Sequence, residues 1–195
     1  MNASWWGVRT MAQHEFRLRL RSGRWAWLLA AWFLVLFGFT LLERFALSQT
    51  ETRPLGTPMF GGLMLVVLAL GLLVVPALSA QSVNGDRERG VLAPLQTTLL
   101  TPMEITLGKL AAAWGTTLVF LGMTLPLVLW CFIEGSVGVA RVVVTLLVVA
   151  LLFGVIAAVS LAFSALFART TTSAVLSYLT VFALAIGTLV VFSLA

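Results

Sequence analysis

Charge is scarce in this chain. Asp, Glu, Lys and Arg make up 10% of its 195 residues while 61% are hydrophobic, against about 25% charged in an ordinary soluble domain. A soluble protein of this size would have to expose most of those apolar side chains as patches, whereas lipid accepts them on every face of a helix. The single cysteine, Cys131, excludes an internal disulfide and offers no metal-ligand spacing. At the end of an apolar run it reads as a small buried apolar residue. A phosphate-binding G-x-x-x-x-G-K-[ST] loop is missing too, because Gly108-Lys109 has no glycine at the required distance upstream and Leu110 follows it. The chain is therefore not expected to hydrolyse ATP by itself, and no catalytic, cofactor-binding or metal-binding residue is assigned.

The net charge of +5 invites a nucleic-acid reading, but that needs a basic face on a folded module with aromatics able to reach bases. The arginines here lie mainly between apolar runs, so membrane topology accounts for them and no nucleic-acid partner is expected. Five runs are long enough to cross a hydrocarbon core, which takes roughly 17 to 25 helical residues: Trp25 to Leu42, Phe60 to Val83, Leu110 to Ile133, Val139 to Phe167 and Ser173 to Ala195. Strands are excluded because an open sheet in lipid leaves backbone edges unpaired, and the alternating ten-residue segments of a barrel are missing. The fold class expected is all-α, a polytopic bundle over residues 25–195. The first run is too long for a removable signal and ends in Glu43-Arg44, so it stays as an anchor. The last reaches Ala195 with no polar tail, which leads to the expectation of a truncated product or an incomplete bundle.

Nine of the twelve basic residues fall on one side of these spans: Arg9, Arg17, Arg19, Arg21 and Arg24 before the first, Arg87, Arg89 and Lys109 between the second and third, and Arg169 between the last two. The positive-inside rule places that side, with the N-terminus, in the cytoplasm. Residues 1–24 fit an amphipathic helix lying at that interface. Trp5, Val8, Met11, Ala12, Phe16 and Leu20 share one face, Gln13, His14, Arg17 and Arg21 the other, and Arg19 can snorkel. His14 reads as a solvated interfacial residue and Arg17, Arg19 and Arg21 as partners of lipid phosphates.

The cytoplasmic stretch from Asn84 to Lys109 is the densest in charge. It opens Asn84-Gly85-Asp86-Arg87-Glu88-Arg89-Gly90, alternating signs bracketed by glycines, which suits an exposed turn or short helix offered to a partner. Thr101-Pro102-Met103-Glu104 is a capping box: the threonine accepts from the helix start, Glu104 reaches back and Pro102 takes the first helical position. These three residues are structural. Lys109, two turns on, is expected to snorkel to headgroups. Ser160, Ser164 and Ala168, and Ala111 with Gly115, are small residues four apart that let helices approach closely.

The run Asp86-Arg87-Glu88-Arg89-Gly90-Val91-Leu92, then Leu99-Leu100-Thr101-Pro102, Glu104-Ile105 and Leu107-Gly108-Lys109-Leu110 resembles the ABC-2 type family of ABC transporter permeases. Glu15 and Leu20-Arg21-Ser22 are similar to the interfacial helix that opens those proteins. The resemblance implies six spans where this chain shows five. It implies a coupling contact at Asp86, Arg87, Glu88, Arg89 and Gly90 with a separate ATPase subunit that binds the ATP. It also implies pairing with a second permease copy or homologue, and a place in a bacterial-type plasma membrane. Ala93-Pro94 and Gln96-Thr97-Thr98 depart from the family pattern and alter the geometry expected of the coupling element. Two other classes compete. A secondary, ion-coupled transporter usually requires an ionisable or ion-coordinating group near the midplane, yet each of the seven acids falls at an end of these runs or in a loop, and none sits at mid-depth. A nontransporting membrane scaffold needs only the packing faces.

Overall fold

The computed structural model describes residues 8–10, 12–13, 23–49, 54–80, 82–84 and 102–194. The protein is an all-α polytopic transmembrane helix bundle. Five of its helical segments are long and apolar enough to cross a membrane, and no strand occurs among the described residues. In lipid no water is available to main-chain N–H and C=O groups, so each apolar run closes its bonds within a helix.

The first spanning helix, α1 (Gly23–Ser48), runs past the boundary expected from hydropathy. Glu43 and Arg44 are good helix formers and Phe45, Ala46 and Leu47 renew the apolar run, so the two charged residues lie inside the helix rather than at its end. The second helix, α2 (Gly56–Ser79), carries Pro76 within it. Next come α3 (Pro102–Gly122) and α4 (Leu125–Ile133), which divide the expected third span at Met123 and Thr124. Pro126 has no N–H to give back to the preceding turn, and buried Thr124 closes the end of α3 by donating its hydroxyl to the Leu121 carbonyl at 2.6 Å. The last two helices are α5 (Val139–Leu166) and α6 (Thr170–Leu194).

The described residues divide into two compact units, one within Met1–Arg17, Leu72–Gly115 and Phe153–Ala195, the other within Leu18–Gly71 and Thr116–Leu152. In the second unit, Trp25 and Trp32 of α1 meet Phe120 of α3 edge-on, with ring centroids 5.2 and 5.1 Å apart. Such contacts favour quadrupole-matched T-shaped pairs. Further along α1, Phe37 lies 6.0 Å from Trp130 of α4. The start of α2 comes so near the end of α4 that a side chain on Gly56 would run into the carbonyl oxygens of Cys131 and Gly135. Thr57 donates to the Ser136 carbonyl at 2.9 Å, with the Ser136 hydroxyl also at 2.9 Å, holding that residue in a left-handed backbone at φ 63°. Cys131 is fully buried, as its sequence setting suggested.

In the first unit Gly154 of α5 seats the indole of Trp114. The two small-residue stripes pack within the chain only in part. Ser160 and Ser164 are buried, but Ala168 and Ala111 are exposed. Ala168 lies beyond the end of α5, and on α3 the buried small face is Gly108, Ala112 and Thr116, one residue round from the pair expected. Of the N-terminal segment, residues 8–10 and 12–13 are helical, and Arg17, Arg19 and Arg21 lie outside the described residues.

Candidate functional site

The chain leaves α2 through a turn, Ser79 to Asn84, that leads directly into the charged loop. Pro76 shapes its approach. Without an N–H, Pro76 cannot bond the Leu72 carbonyl, and its ring crowds that part of the preceding turn. The Tyr178 hydroxyl of α6 donates to the neighbouring Leu73 carbonyl at 2.7 Å. Beyond the proline, Ala80 N–H closes onto the Pro76 carbonyl at 2.8 Å and Ser82 N–H onto Ser79 at 3.1 Å.

Three other helices then take hold of this turn by its main chain. From α3, the Lys109 ammonium donates to the Ser82 carbonyl at 3.0 Å. From α5, the Ser164 hydroxyl oxygen accepts the N–H of Val83 at 3.0 Å and of Asn84 at 3.2 Å. From α6, the Ser173 hydroxyl donates to the Ala80 carbonyl at 3.1 Å. Asn84, Ser164 and Ser173 are fully buried, and Lys109 is only 2% exposed. A chain end leaving a helix has orphan carbonyls and amides, and in an apolar surround each costs several kcal/mol unless paired. Lysine and two serines supply those partners here.

Lys109 thus corrects the sequence expectation: it does not snorkel outward but points inward. Position 109 falls on the buried face of α3 together with Ala112, Ala113 and Thr116, and a carbonyl at the end of α2 offers its ammonium a closer acceptor than a headgroup would. The turn's side chains are less well provided for. The hydroxyls of Ser79 and Ser82, both polar atoms of Asn84, and the hydroxyl of Ser160 on α5 are buried without a hydrogen-bond partner.

Among the residues singled out by motif, Pro102 does open α3, and Glu104 sits buried in its first turn. Thr101 lies outside the described residues, and so do Asp86, Arg87, Glu88, Arg89 and Gly90. Sequence reading gave Ser82, Asn84 and Ser173 no bonding role, Asn84 and Ser173 entering only as segment boundaries. It credited Ser164 with packing alone. The signal available was serine recurring at a spacing of four within apolar helices, Ser160 with Ser164 and Ser173 with Ser177, since hydroxyls are costly in lipid unless they bond something.

A second polar group occupies the other unit. Arg44 of α1 donates its Nε to Glu134 Oε1 at 2.6 Å, and the Trp130 indole N–H reaches the same oxygen at 3.2 Å. Arg44 and Glu134 line a cleft of about 490 Å³ with Ser48, Pro54 and Leu55. One helical position away, the Glu43 carboxylate packs against Gly62 of α2, where any side chain would collide with it, and its Oε2 is buried without a hydrogen-bond partner. Among the described residues no cluster of His, Cys, Asp and Glu could hold a metal ion.

No protein-family model, curated protein or solved structure matches this chain.

Proposed function

We propose that this chain is the transmembrane permease subunit of an ABC transporter, driven by a separate ATPase subunit and serving ATP-driven export. The observation that carries the reading is the clamped turn at Ser79 to Asn84. A loop that receives force is useful only if its root is tied to the elements that must move, and here the root is bonded to α3, α5 and α6 within five residues of main chain. Nucleotide-driven closure of the ATPase pushes on Asp86 to Gly90, and the clamped turn passes that displacement to three spans at once. Energy enters as differential contact between two states of the interface.

On this reading the N-terminus and the loop face the cytoplasm of a bacterial-type plasma membrane. The chain pairs with a second permease copy or homologue, and ATP is bound by the partner subunit. The test is gentle solubilisation of the tagged protein from its native membrane, followed by mass spectrometry. A nucleotide-binding subunit in stoichiometric amount is the expected result, and its reproducible absence from intact protein overturns the proposal.

A second reading, an ion-coupled transporter, gains one specific observation. Glu43 lies inside α1, five residues before its end, pressed against Gly62 with a carboxylate oxygen unpartnered, and an ionisable group inside a span marks ion pathways in such transporters. Transport by the purified chain that follows a proton or sodium gradient without any ATPase, and stops in Glu43→Gln, is the result that selects it.

A further inference from the structure

Two serine ladders face the turn after α2. On α5, Ser160 and Ser164 stand four residues apart, and both are fully buried. Ser164 holds the Val83 and Asn84 amides, while the Ser160 hydroxyl one turn away is buried with no partner. On α6 the pattern repeats. Ser173 donates to the Ala80 carbonyl, while buried Ser177, four residues on, is parked on the Ser173 carbonyl of its own helix at 2.7 Å.

Direction makes these spacings meaningful. Residues 167–169 alone join α5 to α6, and so short a link between two spans makes them antiparallel. Ser160 precedes its engaged partner in sequence and Ser177 follows its own, so both unused hydroxyls are displaced in the same sense along the membrane. Four residues at 1.5 Å each is about 6 Å in both cases.

We propose that the turn Ser79 to Asn84 has two seats one helical turn apart, the Ser164 and Ser173 seat observed and a second on Ser160 and Ser177. In the second seat Ser160 accepts the Val83 and Asn84 amides, and Ser177 swings from its own helix to donate to the Ala80 carbonyl. One-turn steps of one element past another are an established form of switching, because packed interfaces are bistable rather than continuously deformable. Pro76 supplies the joint. The step moves the turn toward the start of α2, so it opens the Tyr178 bond to the Leu73 carbonyl, and α2 gives way at Pro76, where the helix lacks a bond. Lys109 reaches the turn on a flexible four-carbon stem that can follow it. As the stroke of a transporter, the step rests on the permease reading, but the two seats themselves need no ATPase.

The test uses the full chain alone in lipid nanodiscs, labelled with ¹⁵N-asparagine. Asn2 and Asn84 are the only asparagines, so the Asn84 amide is read directly by hydrogen exchange. With two seats, Ser164→Ala and Ser160→Ala each leave that amide protected to within about threefold of the wild type. The double variant speeds exchange about a hundredfold, the scale of a lost buried hydrogen bond. Exchange in Ser164→Ala as fast as in the double variant means a single seat and overturns the proposal. Undiminished protection in the double variant overturns it too, because the ladder then does not hold the turn. Disulfide trapping in a Cys131→Ala background is a second measurement. Ala80→Cys must cross-link with Ser173→Cys and, separately, with Ser177→Cys; failure of the latter alone overturns the second seat. None of these outcomes depends on whether an ATPase copurifies.

Discussion

The Lys109 ammonium donates to the Ser82 carbonyl across 27 positions of chain at 3.0 Å, joining α3 to the turn that follows α2. A buried cation at this place stabilises the turn only while its acceptor and charge environment are intact. Lys109→Met keeps the length of the side chain and most of its apolar stem but strands the Ser82 carbonyl. The expected loss is about 1–3 kcal/mol, the penalty for one buried unsatisfied group, read as a lower midpoint in detergent unfolding of the purified protein. An unaltered midpoint would mean that the carbonyl finds another donor and that the clamp does not depend on Lys109.

Gly56 and Gly61 make a controlled pair on α2. A methyl group at position 56 meets the carbonyl oxygens of Cys131 and Gly135, which are main chain and cannot swing away, whereas one at position 61 enters open space. Gly56→Ala is expected to destabilise by about 1–3 kcal/mol through overpacking. Gly61→Ala should be neutral or stabilise by up to about 1 kcal/mol through helix propensity. Thermal midpoints of the two variants measured side by side decide it.

Arg44 and Glu134 form a close pair, but the arginine side chain is 48% exposed and the glutamate 20%. Screening therefore limits its worth. A double-mutant cycle with Arg44→Gln and Glu134→Gln should give a coupling of about 0.2–1 kcal/mol, shrinking as salt is raised. A coupling several times larger, insensitive to salt, would show that lipid shields the pair from water.

The loop motif carries its own prediction. Replacing both Arg87 and Arg89 with glutamate should weaken ATPase association at least tenfold while membrane insertion stays normal. On the permease reading, charge reversal at the coupling contact opposes partner binding, and in the sequence the two arginines fall between apolar runs. Unchanged association, measured by pull-down at matched expression, counts against Asp86 to Gly90 as the coupling contact.

What could be read from the sequence and what could not divide along physical lines. Five spans were legible because the hydrophobic requirement of a bilayer acts on each segment alone. The break at Met123 and Thr124 has a local cause as well, since Pro126 lacks a donor wherever it stands. The end of α1 was not legible. Glu43-Arg44 looks like a boundary in hydropathy, yet the room left by Gly62 and the carboxylate of Glu134 lets both charges remain within the helix.

Burial of Lys109 and the hydroxyl bonds of Ser164 and Ser173 belong to the tertiary structure alone. The sequence by itself determined that the chain is helical and built for lipid, because composition and run length settle the solvent of each residue. Which polar groups inside that lipid-soluble frame meet one another was decided only by packing. Their partners lie 27 residues away for Ser82 and Lys109, 80 for Asn84 and Ser164 and 93 for Ala80 and Ser173, and a hydrogen bond is set by position in space, which no local pattern encodes.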